Sequence, residues 1–275
     1  MMKKLLICSV LLLCAGAHAQ SQPQPQSQPL INPAMLPPSL HVSFGAPYLK
    51  PADWPDSVAL LPKPPAPGTK ALKRDEAAQE RAVAQHGTSR FELATSDANL
   101  GPQSVGTFSC AAGVELGPDT SPILDKLLHR AMSDLGGATG KAKALYKRPR
   151  PFTLNNQPSC TPEAEPYLRH DGSYPSGHAA IGRGWGMILA QVYPTRHKRL
   201  NDRGTTFGDS RRICNVHWLS DVEAGRMVAR AVMTKLEANQ DFQTDLIAAR
   251  AEARLNKTKP IRDCAAEAAA LASTR

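Results

Sequence analysis

The stretch SPILDKLLHRAMSDLGG, residues 121–137, decides the fold class of this chain. Ile123, Leu124, Leu127, Leu128, Ala131, Met132 and Leu135 recur at the three- and four-residue spacing of one helix face. Ser121 can cap the helix, Pro122 suits its first position, and Gly136 and Gly137 stop it. The same reading predicts a helix over about 139–148, closed by Pro149 and Pro151, and another over about 177–192, closed before Pro194. SDVEAGRMVARAVMTKL, residues 220–236, predicts a helix with Ser220 as cap and Glu223 completing a capping box; Val222, Met227, Val228, Ala231 and Val232 supply its apolar face. Residues 70–86 hold strong helix formers, and 244–257 read as a further helix. Residues 91–113 mix a short helix with loop, and 152–173 read as loop. Since no stretch alternates as a strand would, the expected fold is all-α, a single compact helical domain without internal repeats.

The N-terminus reads differently. Lys3 and Lys4 precede an apolar run from Leu5 to Ala15, and Ala17-His18-Ala19 forms a small-residue cleavage signal. The run is too short for a membrane anchor, so residues 1–19 are expected to be a signal peptide, directing the product to the periplasm or outside the cell. Residues 20–44 form a leader rich in Pro, Gln and Ser that need not pack. From 45 to 69 the prolines continue, but Tyr48, Leu49, Trp54, Val58, Leu60 and Leu61 could dock this segment as an extended wrap. The helical domain is expected over 45–243, with a C-terminal tail at 244–275.

Removal of 19 of the 275 residues leaves 256, enough for one full core. Lys3 and Lys4 depart, so a net charge of +9 becomes +7. That charge favours anionic substrates. The basic residues are scattered and aromatics make up only 5%, which argues against nucleic acid as a stable partner. Four cysteines remain, Cys110, Cys160, Cys214 and Cys264, and in an oxidising compartment they permit two disulfides in any of three pairings. No close C-x-x-C pair suggests zinc or redox chemistry.

Three short segments carry the chemistry. KALYKRPRPF, residues 143–152, concentrates Lys143, Lys147, Arg148 and Arg150; the first two are spaced to share a helix face, and Arg150 lies between prolines. Its planar fork matches paired phosphate oxygens. YPSGH, residues 174–178, places Ser176, Gly177 and His178 at a helix start, where exposed N–H groups attract anions and a histidine could transfer a proton. GDSRRICNVHWLSD, residues 208–221, contains Arg211, His217 and Asp221. A four-residue separation lets the carboxylate meet one imidazole nitrogen across a helix cap and leave the other free to attack. Taken singly, each segment is also compatible with a solvated basic face, a plain helix cap or a surface His–Asp pair.

Together they resemble the signature of the phosphatidic-acid phosphatase type 2 superfamily: Lys143, six residues, Arg150-Pro151; Pro175-Ser176-Gly177-His178; and Ser210-Arg211, five residues, His217, three residues, Asp221. The flanks, including PYLKPADWPDSVALLPKPPAPGT and RGTTFGDSRRICNVHWLSDVEAGR, are similar to those of bacterial class A nonspecific acid phosphatases over roughly residues 45–240. The resemblance implies phosphate-monoester hydrolysis through a phosphohistidine, without metal or other cofactor. It implies His217 as nucleophile, Asp221 as its orienting partner and His178 as general acid. Lys143, Arg150, Arg211, Ser176 and the Gly177 backbone would hold phosphate. Small phosphorylated substrates, inhibition by phosphate or vanadate, no membrane association and assembly as a homo-oligomer are further implications. Vanadium haloperoxidases share this superfamily site, and halide oxidation would mark that alternative; anion binding without turnover is the other.

Overall fold

In the computed structural model Pro122–Gly137 is a helix, and Leu124, Leu127, Leu128, Ala131, Met132 and Leu135 are all buried, while Ile123 faces out. Its cap differs from expectation. The Ser121 hydroxyl bonds back to Gly117, and the Ile123 and Leu124 N–H groups donate to the Glu252 carboxylate at 3.0 Å each. An acid distant in sequence supplies the first-turn acceptors and the favourable charge at the helix N-terminus.

The structure describes residues 45–273, which fall in a unit spanning Ile31–Arg275. The signal peptide and the leader expected at 1–44 lie outside them. The helices are α1 (Ser57–Leu60), α2 (Lys70–Val83), α3 (Ser89–Asp97), α4 (Ser109–Ala112), α5 (Pro122–Gly137), α6 (Gly140–Tyr146), α7 (Phe152–Asn155), α8 (Glu165–Leu168), α9 (Gly177–Val192), α10 (His197–Ile213), α11 (Leu219–Glu237), α12 (Gln240–Leu255) and α13 (Cys264–Ala272). No strand occurs among the described residues, and none of their helices is long and apolar enough to cross a membrane.

Helix α9 is the central element, packed on α5, α10 and α11. Trp185 is fully buried, and its Nε1 donates to the Leu128 carbonyl on α5 at 2.8 Å. Against α10 the contact is made backbone to backbone. A Cβ on Gly204 would collide with the Gly182 carbonyl, and one on Gly186 with that of Leu200. This close approach explains why α10, which no sequence signal predicted, is a helix at all. HKRLNDRGTTFGDSRRI has two interior glycines and few apolar residues, so periodicity is weak and propensity poor. Packing against the glycine face of α9 stabilises it instead.

The segment from 45 onward wraps as expected. Tyr48 and Leu61 are buried, Leu49, Trp54 and Val58 pack against the core, and only Leu60 turns outward. Buried Asp134 of α5 accepts from Tyr48 N, Leu49 N and Trp54 Nε1 at 2.9, 3.1 and 2.9 Å. At the other end, the boundary drawn at 243/244 falls inside α12, whose Phe242, Leu246 and Ala249 belong to the main core. The described residues hold two disulfides. Cys160–Cys214 ties the 152–173 connection to the end of α10, and Cys110–Cys264 anchors α13 to α4. That connection carries the short helices α7 and α8 rather than loop alone.

Candidate active site

The first segment ends a helix and then runs extended. Lys143 lies in the last turn of α6, and Lys147, at φ 41°, leaves the helix in the left-handed region. Lys147 therefore does not share a helical face with Lys143. Arg148 and Arg150 continue inward, 8% and 3% exposed. The approach of the second segment depends on Gly172, where a Cβ would press on the Lys143 carbonyl and Lys147 Cα. Ser173 N donates to the Arg148 carbonyl at 2.9 Å, locking the two segments together.

Ser176 is the N-cap of α9, its oxygen accepting from Ala179 N at 3.2 Å. Its O–H remains able to donate at the positive end of the helix. His178 follows in the first turn; its Nε2 meets the Ala98 carbonyl at 3.0 Å, and its ring stacks on Phe207. Because a carbonyl only accepts, Nε2 carries the hydrogen, and Nδ1 is the nitrogen left to exchange a proton.

The third segment leaves α10 through a left-handed turn at Asn215, φ 59°. Val216 N and His217 N both donate to the Arg211 carbonyl, placing these side chains on one turn. The cap of α11 is Trp218, not Ser220. Asp221 stands at the third helical position and its Oδ2 accepts from Trp218 N at 2.8 Å. The same oxygen lies 3.4 Å from His217 Nδ1, while His217 Nε2 faces Arg150 Nη1 at 3.1 Å. Since the guanidinium can only donate, Nε2 presents a lone pair and Nδ1 carries the proton.

Charge around this imidazole is dense. Arg150 Nη2 and Lys143 Nζ lie 2.7 and 3.0 Å from Asp171 Oδ2, and Lys143 also reaches the Gly172 carbonyl. Arg150 Nε donates to the carbonyls of Leu168 and Asp171. Arg211 is 3% exposed, and its Nε and Nη1 have no hydrogen-bond partner among the described residues. Burial, then the charge of Arg150, pushes its pKa down to about 9. Burial, then the neighbouring cations, holds His217 and His178 well below the ordinary histidine value. Burial likewise lowers Lys143, against the attraction of Asp171. A site that disfavours the charged forms of Lys143, Arg211 and both histidines is one that favours an incoming anion.

The structure thus brings Lys143, Arg150, Ser176, Gly177, His178, Arg211, His217 and Asp221 onto the facing ends of α6, α9, α10 and α11. Sequence reasoning did not assign three others. Arg148 joins the buried carboxylates of Asp221 and Asp75 at 2.6 and 2.8 Å and also donates to Ser220 Oγ. Asp171 sits directly on the cationic pair. Ser210 donates to Asp97 at 2.7 Å, and Asp97 is held in a fork by Arg203. Within the described residues no group of three or more His, Cys, Asp or Glu could hold a metal ion.

A helical bundle that aligns these three segments on one anion-binding site defines a class, and residues 130–239 match the profile of the PAP2 superfamily. The likeness extends beyond that core. The chain is 37% identical over 259 residues to a nonspecific acid phosphatase of Providencia stuartii, covering 93% of this chain and all of that one. It is 37% identical to the nonspecific acid phosphatase of Salmonella typhi, over 75% of this chain and 83% of that one. An acid phosphatase of Zymomonas mobilis is 36% identical, with 74% and 77% covered. The chain belongs to the bacterial class A nonspecific acid phosphatases of the PAP2 superfamily, and it is a phosphomonoesterase.

Proposed function

We propose that this enzyme hydrolyses small phosphate monoesters through a phosphohistidine on His217, with His178 as general acid and base and no metal in the reaction. The observation that carries the reading is the orientation of His217. Its Nδ1 is turned to Asp221 and its Nε2 lone pair faces the guanidinium of Arg150. An arriving phosphoryl group replaces the lone pair as the partner of that cation. Lys143, Arg150 and Arg211 then divide its oxygens, helped by the Ser176 hydroxyl and the Gly177 N–H. Three fixed cations offset charge on the equatorial oxygens without reorganisation.

Nε2 of His217 attacks phosphorus as the bond to the leaving oxygen breaks, and the proton on His178 Nδ1 passes to that oxygen. Asp221 stabilises the imidazolium character that develops. In the second half His178 takes a proton from water, the water oxygen attacks phosphorus, the P–N bond breaks, and inorganic phosphate leaves. The cationic clamp supplies the charge stabilisation that a divalent ion gives other phosphatases. Vanadate, which adopts the same five-coordinate geometry, is expected to compete with substrate.

Signal cleavage after Ala19 and periplasmic or extracellular location are supported by the sequence pattern and the two disulfides. Homo-oligomerisation rests on the resemblance, and light scattering tests it. The direct test of function is turnover of an aryl phosphate and an alkyl phosphate after exhaustive chelation. Sustained release of phosphate is expected; activity that returns only with stoichiometric metal would overturn the clamp.

A further inference from the structure

A second cavity of about 770 Å³ opens on another face of α10, between α2, α3, α4 and α13. None of the catalytic residues lines it. Five arginines do: Arg81, Arg90, Arg199, Arg203 and Arg212. Three acids share the wall, but each already has a cation. Asp202 pairs with Lys198, Asp209 with Arg226 and, at 3.5 Å, with Arg212 of the same wall, and Glu267 with Arg203 and Arg262.

Arg90 is the unexplained member. It is 1% exposed, yet forms no ion pair among the described residues. Its Nη2 donates to Ser210 Oγ and the Thr206 carbonyl, while Nε and Nη1 have no partner among the described residues. Leaving two charged donors buried and unpaired is costly. Arg203 shows what a buried arginine here does when it is structural: it forks onto Asp97 at 2.5 and 3.0 Å. Burial acts against both guanidiniums, but Arg203 ends raised by its carboxylates and Arg90 ends lowered. Arg212 adds a second buried Nε without a partner. Arg81 and Arg199 stand exposed at the cavity.

We propose that this cavity is a second anion site, separate from the catalytic one, that takes an oligophosphate group. Arg90 holds one phosphoryl unit at the buried end, and Arg81, Arg199 and Arg212 hold the next. The volume far exceeds that of one orthophosphate, and the spread of cations from buried to exposed suits a chain of anionic groups. The phosphate chain could belong to a nucleotide or to an inorganic polyphosphate.

Calorimetric titration of the intact mature enzyme tests this, using methylenediphosphonate and, separately, α,β-methylene-ADP, neither of which can be cleaved at the bridged position. Two sites are expected for the wild type, one catalytic and displaced by vanadate, the other retained with vanadate present. Arg90→Gln should remove the retained site, and the exposed double variant Arg81→Gln/Arg199→Gln should weaken it roughly tenfold or more. Tighter binding of the nucleotide analogue assigns the source as a nucleotide; equal binding assigns the phosphate chain alone. A single, vanadate-sensitive site overturns the proposal, as does a retained site that the double variant leaves unchanged. If Arg90→Gln fails to fold, the double variant decides.

Discussion

Replacing Arg148 by Met should damage both the stability and the chemistry of this enzyme, although the residue occupies a permissive position between Lys143 and Arg150. Its guanidinium is the shared cation of two carboxylates, Asp221 and Asp75, that are 0% and 1% exposed. Removing one partner of a buried ion pair typically costs about 3–5 kcal/mol, because the remaining charge stays desolvated. For a chain of this size that corresponds to roughly 6–20 °C in Tm. Met keeps most of the volume and the contact with the Trp218 ring, so the loss is electrostatic rather than a cavity. The catalytic effect follows from Asp221. Burial already pushes its pKa up, and Arg148 is the strongest force opposing that rise. Without Arg148 the carboxyl tends to its neutral form and no longer fixes the His217 Nδ1–H tautomer. A fall of about 10²-fold or more in kcat is expected, by the precedent of triads that lose their carboxylate. Urea unfolding and single-turnover kinetics on R148M, with R148K as the charge-conserving control, measure the two effects separately. R148K should recover part of both. An R148M enzyme within about 0.5 kcal/mol of wild type and unchanged in kcat would refute the reasoning.

Other consequences are equally accessible. Asp171→Asn removes the carboxylate that occupies the Lys143–Arg150 pair; about 1 kcal/mol of lost repulsion should tighten inhibition by inorganic phosphate about fivefold, whereas weaker inhibition would mean that Asp171 serves to place the cations. Both active-site histidines are shifted downward from 6.5. The mechanism needs His178 protonated and His217 neutral; the His178 proton is lost as pH rises through an acid value, so kcat/KM should be highest in acid and decline toward neutrality. A bound phosphate dianion raises both groups, moving the kcat profile toward neutral; a kcat/KM maximum above 6.5 would contradict the assignment. Replacing Cys160 and Cys214 by Ser opens a closure spanning 54 residues, worth ~4 kcal/mol on chain entropy. It should lower kcat more than loss of Cys110–Cys264, since only the former braces the turn leading to His217; equal kcat losses would remove that distinction.

What the sequence showed and what it did not divide along a physical line. That Lys143, Arg150, Ser176, His178, Arg211, His217 and Asp221 come together was legible because the spacings that mark them fall within short segments. The wrap was legible because aromatic and aliphatic residues among prolines have few other uses. Helix α10 was not, since its stability comes from glycine-to-glycine contact with α9 rather than from any pattern of its own. The cap of α11 was misplaced by two residues because Ser220 is the commoner capping residue, yet here Asp221 takes the Trp218 N–H and Ser220 bonds Asp75 instead. Arg148 and Asp171 escaped for a shared reason. Their partners lie 73 and 21–28 residues away, beyond the reach of local spacing.

The identity of the nucleophile is tested most directly by rapid-quench trapping of the phosphoenzyme with a ³²P-labelled monoester, followed by peptide mapping. An acid-labile, base-stable phosphohistidine is expected on the peptide containing His217, absent from His217→Ala. In His178→Ala it should form with good leaving groups and accumulate because its hydrolysis is slowed. A phosphoenzyme that forms at the normal rate in His217→Ala, or that maps to another peptide, would contradict the account.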